Sequence, residues 1–149
     1  MKPVLKTQNP YGDLKEDPKV PVISWKIQRV LFFLYTHFSE EIKLGEIANR
    51  FGYHPDYLSR KFKQELGVPF QEYLFEIRIQ KAKHLLLQSE KSVKEISYDT
   101  GFCRPEFFSR VFKRMSGLSP IRYRVNFQKT NHFRRPSNPK GLRPHSWAL

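Results

Sequence analysis

A single cysteine, Cys103, occurs in the 149 residues, so no disulfide can form within the chain, which suits a reducing cytoplasm. No apolar run approaches the roughly 18 residues that a membrane span needs. The N-terminus lacks the charged, apolar, small-residue order of a secretion signal. Acids are scarce: 14 Asp and Glu stand against 27 Lys and Arg, giving a net charge of +13 and a pI near 10.0. That balance points to a polyanionic partner, nucleic acid first and an anionic membrane surface second, with basicity for solubility alone as the plainer alternative. The five histidines, His37, His54, His84, His132 and His145, show no metal-ligand spacing with Cys103 or with paired acids. There is no Gly-rich phosphate loop and no nucleophile motif. The sequence therefore offers no catalytic residue and asks for no cofactor or metal.

What is present is a chain 39% hydrophobic and 15% aromatic, enough for a packed interior of modest size. Residues 1–22 hold Pro3, Pro10, Gly12, Pro18 and Pro21 without a sustained period and read as an irregular arm. Residues 128–149 carry Lys129, Arg134, Arg135, Lys140 and Arg143, no acid and three prolines, and read as a basic, disordered tail. Between them, over 23–127, 18 basic residues still face 11 acidic ones, so the tail does not explain the charge.

The central block reads as helical nearly throughout, an all-α domain. Ile27, Val30, Leu31, Leu34 and Phe38 recur at helical spacing after Ser24, an N-cap by its type. Leu44, Ile47, Ala48 and Phe51 mark a short helix stopped by Gly52; Tyr57, Leu58, Phe62 and Leu66 mark another, opened by Pro55 and stopped by Gly67. A longer helix is predicted over 69–88, with Phe70, Tyr73, Leu74, Ile77, Ala82, Leu85 and Leu86 on one apolar side. Ser92 and Glu95 form a capping-box pattern ahead of Val93 and Ile96, in a helix ending at Gly101. Phe107, Phe108, Val111, Phe112 and Met115 follow, up to Gly117, and Ser119-Pro120 open a last helix through Ile121, Tyr123 and Val125 to about 127.

The block repeats itself. LSRKFKQELG at 58–67 returns as FSRVFKRMSG at 108–117, so Ser59, Arg60, Phe62, Lys63 and Gly67 recur fifty residues on. Glu46, Ile47, Gly52 and Tyr53 return 49 residues later as Glu95, Ile96, Gly101 and Phe102, which leaves one extra residue in the second turn. Tyr73 returns as Tyr123. Each copy is a short helix, a glycine turn and a second helix, the grammar of a helix-turn-helix whose second helix enters the DNA major groove. Shared apolar positions such as Phe62 and Phe112 are core and would arise in any amphipathic pair; an outward Ser-Arg pair is harder to dismiss. A 20-residue connector spans about 30 Å, close to the roughly 34 Å between successive major grooves on one DNA face. One chain could thus reach two grooves without a two-fold axis, and two dissimilar half-sites without a palindrome are expected.

The runs LGEIANRFGYHPDYLSRKFKQELGVPFQEYLFEIRIQKAKHLLLQS and SVKEISYDTGFCRPEFFSRVFKRMSGLSPIRYR closely resemble the DNA-binding domain of AraC/XylS transcription regulators, over about residues 25–127. The resemblance implies a seven-helix, homeodomain-like domain with two helix-turn-helix units, here 43–67 and 92–117, joined by a linker helix at 69–88 and followed by a final helix at 119–127. It implies binding to double-stranded promoter DNA in the bacterial cytoplasm at the nucleoid, with activation through RNA polymerase, here by a monomer. Carried over by position, the base-contacting residues are Asp56, Ser59 and Arg60 in the first recognition helix and Arg104, Glu106, Ser109 and Arg110 in the second. Arg60 and Arg110 suit guanine, and Asp56 or Glu106 suits cytosine N4. The plainer readings are a phosphate or intramolecular clamp for either arginine, and helix-dipole stabilisation for Asp56. Backbone contacts fall to Lys43, Lys63, Lys113, Arg114 and the amides at the short helices' N-termini.

The sequence also departs from the family pattern. His54 and Cys103 stand where serine usually precedes each recognition helix, and both are poorer caps, a loss of about 1 kcal/mol each. Gly45 replaces a helix former, Thr100 an aliphatic residue, and Arg104-Pro105 opens the second recognition helix unusually; weaker or altered reading by that unit is expected. Members commonly carry a separate effector or dimerisation domain, for which the 22-residue arm is too short, so no small-molecule effector domain is evident and the chain reads as a stand-alone module or a piece of something longer. Competing functions are a helical adaptor or nonspecific nucleic-acid binder, a thiol sensor at Cys103, and the DNA-binding part of a transposase, which would need a catalytic domain not seen here.

Overall fold

A computed structural model of the chain describes residues 22–132, and within them seven α-helices and no strand. They are α1 (Trp25–His37), α2 (Leu44–Phe51), α3 (Pro55–Leu66), α4 (Phe70–Gln88), α5 (Val93–Asp99), α6 (Pro105–Ser116) and α7 (Pro120–His132). The N-terminal arm, apart from Val22, and the chain after His132 lie outside the described residues. The final helix extends five residues past the expected end at 127, because Gln128–His132 contains no proline or glycine to stop it.

The helices divide between two cores. The first gathers Ile27, Val30 and Leu34 of α1, Ile47 and Ala48 of α2, Leu58 and Phe62 of α3, and Phe70, Leu74 and Ile77 of α4. The second gathers Phe75, Ile79, Ala82 and Leu86 of α4 with Ile96, Phe102, Phe108, Val111 and Phe112. The single apolar side expected for the connector is therefore corrected: α4 carries two apolar stripes, one per core. At 3.6 residues per turn these stripes are centred roughly 145° apart, and Glu72, Glu76, Gln80 and Lys83 form a polar face on the side of the helix away from both. Its 19 residues reach about 28 Å.

Ser24 also behaves differently from its sequence reading. Its side chain does not cap α1; its backbone N–H and its hydroxyl donate to Glu65 Oε2 at 2.8 and 2.9 Å. Lys61 Nζ reaches the other oxygen of Glu65 at 2.9 Å, so the start of α1 is bound to the end of α3. Burial works to raise the Glu65 carboxyl, but the hydrogen bonds from Lys61 and Ser24 outweigh it and hold the group below its ordinary range. The capping box of α5 is present as read, with Ser92 and Glu95 satisfying each other's backbone N–H. Thr100, expected aliphatic, is fully buried yet satisfied, since its hydroxyl donates to the carbonyls of Ile96 and Ser97.

Candidate nucleic-acid interface

The helix-turn-helix geometry rests on glycines where the chain needs φ > 0. Gly52 and Gly101 have φ of 75° and 86°, and each lets the next residue donate back into the preceding helix, Tyr53 to Ala48 and Phe102 to Ser97. The second turn absorbs its extra residue at Cys103-Arg104. Helices α3 and α6 then each open on a proline at the first turn and close on a left-handed glycine, Gly67 or Gly117, whose N–H bonds the carbonyl of Lys63 or Lys113 at 2.9 Å.

The first cap is as expected and the second is not. His54 is the N-cap of α3, and its Nδ1 accepts from the Asp56 N–H at 3.3 Å, so this histidine does cap, weakly. The N-cap of α6 is Arg104, which offers no acceptor; Cys103 lies one residue farther out, exposed and free. Arg104 is therefore in the turn ahead of the helix, and it has no ion pair among the described residues.

Within the helices, burial of Leu58 and Phe62 on α3 leaves Asp56, Ser59, Arg60 and Lys63 on the outward face. Burial of Phe108, Val111 and Phe112 on α6 leaves Glu106, Ser109, Arg110 and Lys113 there, with Ser109 half-buried and the others exposed. Both sets fall at i, i+3, i+4 and i+7 in the same helical register. The two stripes thus read Asp-Ser-Arg-Lys and Glu-Ser-Arg-Lys. Arg60, Lys63 and Lys113 form no ion pair among the described residues, and Arg110 lies over the Phe107 ring at 5.8 Å. These are charges held ready, without internal counterions.

The other two predicted backbone contacts are engaged within the fold. Lys43 Nζ lies 3.0 Å from Glu41 and 3.8 Å from Glu46, and the Glu41 hydrogen bond leads in raising its pKa above the ordinary value. Arg114 holds both oxygens of Glu72, at 3.1 and 3.0 Å, and so ties α6 to α4. A phosphate would have to compete with those carboxylates.

Two aromatic residues that sequence reasoning placed on the apolar side reach this face. Tyr57 and Phe107 occupy equivalent positions and are 37% and 38% exposed. Lys26 donates to the Tyr57 hydroxyl at 3.4 Å, and Phe107 packs edge-on against Phe75. Their signal in the sequence was position: each directly follows the acid that begins the outward stripe. Phe75, Arg78, Arg104, Glu106, Phe107 and Arg110 line a cleft of about 610 Å³ between α4 and the start of α6.

The described residues hold no helix long and apolar enough to cross a membrane and no cluster of three or more potential metal ligands. Comparison with known proteins gives a consistent outcome. A family model described as a helix-turn-helix domain matches residues 47–135. Over 95 residues the chain is 38% identical to the transcriptional activator RhaS of Escherichia coli O139:H28, covering 64% of this chain and 34% of that one. The C-terminal domain of AraT, a response regulator from Geobacillus stearothermophilus, is similar at a TM-score of 0.67 and 34% identity, over 83% of this chain and 97% of that one. The DNA-binding domain of the global transcriptional factor AdpA, solved with a target DNA, is similar at a TM-score of 0.69 and 27% identity, over 76% and 99% respectively. The chain spans between 12% and 34% of the length of the curated relatives it matches.

Proposed function

Because this chain belongs to the AraC/XylS family of helix-turn-helix transcription regulators, we propose that it reads promoter DNA by placing α3 and α6 in successive major grooves of an asymmetric site. The observation that carries this reading is the pair of outward stripes in identical register, each with an arginine and a lysine lacking an internal counterion. Arg60 and Arg110 pair bidentately with guanine O6 and N7; Asp56 and Glu106 accept from cytosine N4; Ser59 and Ser109 accept or donate at either neighbour. Tyr57 and Phe107 supply apolar contact for thymine methyl groups. Lys63 and Lys113 neutralise phosphates and set register, with Lys43 and Arg114 joining when a phosphate displaces their carboxylates.

The site has no palindrome, since one chain supplies both helices and needs no two-fold axis. Its halves share a guanine step under Arg60 and Arg110 and differ around it, because Arg104 has His54 as its counterpart in the first unit and Arg114 has Gln64. We read the binding as monomeric and the output as activation, by analogy with the relative RhaS, a transcriptional activator, with RNA polymerase as the proposed partner. The arrangement of units as 43–67, 69–88 and 92–117 is the functional division of the domain.

Selection from a random DNA pool tests this. The expected result is an enriched asymmetric site of about two helical turns whose binding survives competitor DNA and weakens in Arg60→Ala and Arg110→Ala. Affinity that depends on salt without any sequence preference would instead identify a nonspecific binder or adaptor.

A further inference from the structure

The linker helix places one arginine where its two apolar stripes leave a gap. Arg78 is 6% exposed, and by helical geometry it lies between the Phe70-Leu74-Ile77 stripe and the Phe75-Ile79-Ala82-Leu86 stripe. Its Nε donates to the Phe38 carbonyl and its Nη2 to the Glu40 carbonyl, both at 2.8 Å, which seizes the loop leading from α1 into the first unit. Its guanidinium lies 5.6 Å from the Phe102 ring in the turn of the second unit. Gly101 in that same turn is tight against the same loop: a Cβ there would approach the Phe38 carbonyl to 2.7 Å and Arg78 to 3.0 Å. No carboxylate pairs with Arg78 among the described residues, so an expensive buried charge has been spent on two backbone carbonyls and a ring.

Three segments therefore meet at one side chain: the loop ahead of the first unit, the connector, and the turn of the second unit. A single connecting helix fixes the distance between two recognition helices, but it leaves their relative rotation to whatever holds each unit against it. We propose that Arg78 is a positioning residue that locks this rotation, so that the spacing and phase accepted between the two DNA half-sites are set by its two hydrogen bonds. This rests on the two-groove reading above. Two linked binding units gain affinity from the link only when both can engage at once. A locked pair is tight on the matching spacing and intolerant of others; a loosened pair is weaker on the matching site and more forgiving.

The test measures affinity of the full chain for four DNAs: the selected site, the site with its second half scrambled, and the site with one base pair inserted or removed between the halves. One base pair turns the second half-site by roughly 35° and shifts it about 3.4 Å. The wild-type chain is expected to lose at least about tenfold on insertion or removal, and Arg78→Met, which keeps the apolar stem, less than about threefold from a lower starting affinity. Arg78→Lys, retaining the charge but able to reach one carbonyl, should fall between, and it carries the test should the methionine variant fail to fold. A purely structural role lowers melting temperature while leaving the spacing penalty at its wild-type value, and that result in either folded variant overturns the proposal. If the wild-type chain binds the half-scrambled DNA as tightly as the whole site, the two-groove reading fails, and the Arg78 proposal falls with it.

Discussion

The two helix-turn-helix units agree in their cores far more closely than in their ends. In the first, the rings of Phe62 and Tyr73 meet edge-on at 5.5 Å and 82°; in the second, Phe112 and Tyr123 meet at 5.4 Å and 81°. Gly67 and Gly117 close α3 and α6 at φ of 76° and 79°. The ends diverge. The first unit is fastened by Glu65 to Ser24 and Lys61, where the second has Met115 at the equivalent position and is fastened instead by Arg114 to Glu72 and by Arg124 to the Leu86 and Lys91 carbonyls. One packing solution has thus been used twice, while each copy is attached by different polar contacts to the helix on its flank. Packing transfers between copies because it depends on shape alone, whereas polar fastening depends on which neighbour is present.

The sharpest way to break the comparison is to remove the matched rings. Phe62→Ala and Phe112→Ala should each cost about 3–5 kcal/mol, as expected for a fully buried phenylalanine. Because the cores are separate, hydrogen exchange should show the mutated unit opening first; uniform opening of both units would mean that the two cores act as one. The matched arginines come next. Arg60→Ala and Arg110→Ala should each lose about 1–3 kcal/mol of specific binding and relax the sequence preference in one half-site only, measured by binding to base-substituted sites.

Acid separates the units. Glu65 has its folded pKa below its unfolded value near 4.5, so its contribution is present above that pH and is lost as pH falls through the depressed folded value. Glu65→Gln should lower the melting temperature by about 4–8 °C at neutral pH, with the gap to wild type closing as pH falls below the carboxylate range. A gap that stays constant from pH 7 to pH 3 would show that Glu65 acts through packing. The smallest effect is at Gly45 in the first turn of α2, where an added Cβ meets nothing within 4 Å. Gly45→Ala should stabilise the first unit by about 0.5 kcal/mol and leave DNA affinity unchanged, as read by denaturant unfolding and DNA titration.

Most of the architecture was legible in the sequence because its signals are local. Pro55 and Pro105, Gly67 and Gly117, and the Ser92–Glu95 box mark helix ends through their own backbone chemistry, and the fifty-residue echo shows that the unit occurs twice. What escaped were features that depend on what lies across space. Ser24 has the type of an N-cap, but Glu65, 41 residues away, takes its hydrogen bonds. The connector reads as one-sided only while a single core is imagined; with two, the buried arginine between its apolar stripes becomes the informative residue. Tyr57 and Phe107 read as core by type and lie on the outward face by position. The loop length that moves Arg104 out of the helix was visible as the change from an offset of 49 to one of 50, but its effect on the cap was not.

The central claim is that one chain reads two successive major grooves through Arg60 and Arg110. Methylation interference at guanine N7 on the selected site tests it most directly, since both arginines address that atom. The account predicts two windows of interference about one helical turn apart on one face of the DNA, with Arg60→Ala removing one window and Arg110→Ala the other. A single window, or two windows related by a two-fold axis and lost together in either variant, would contradict it.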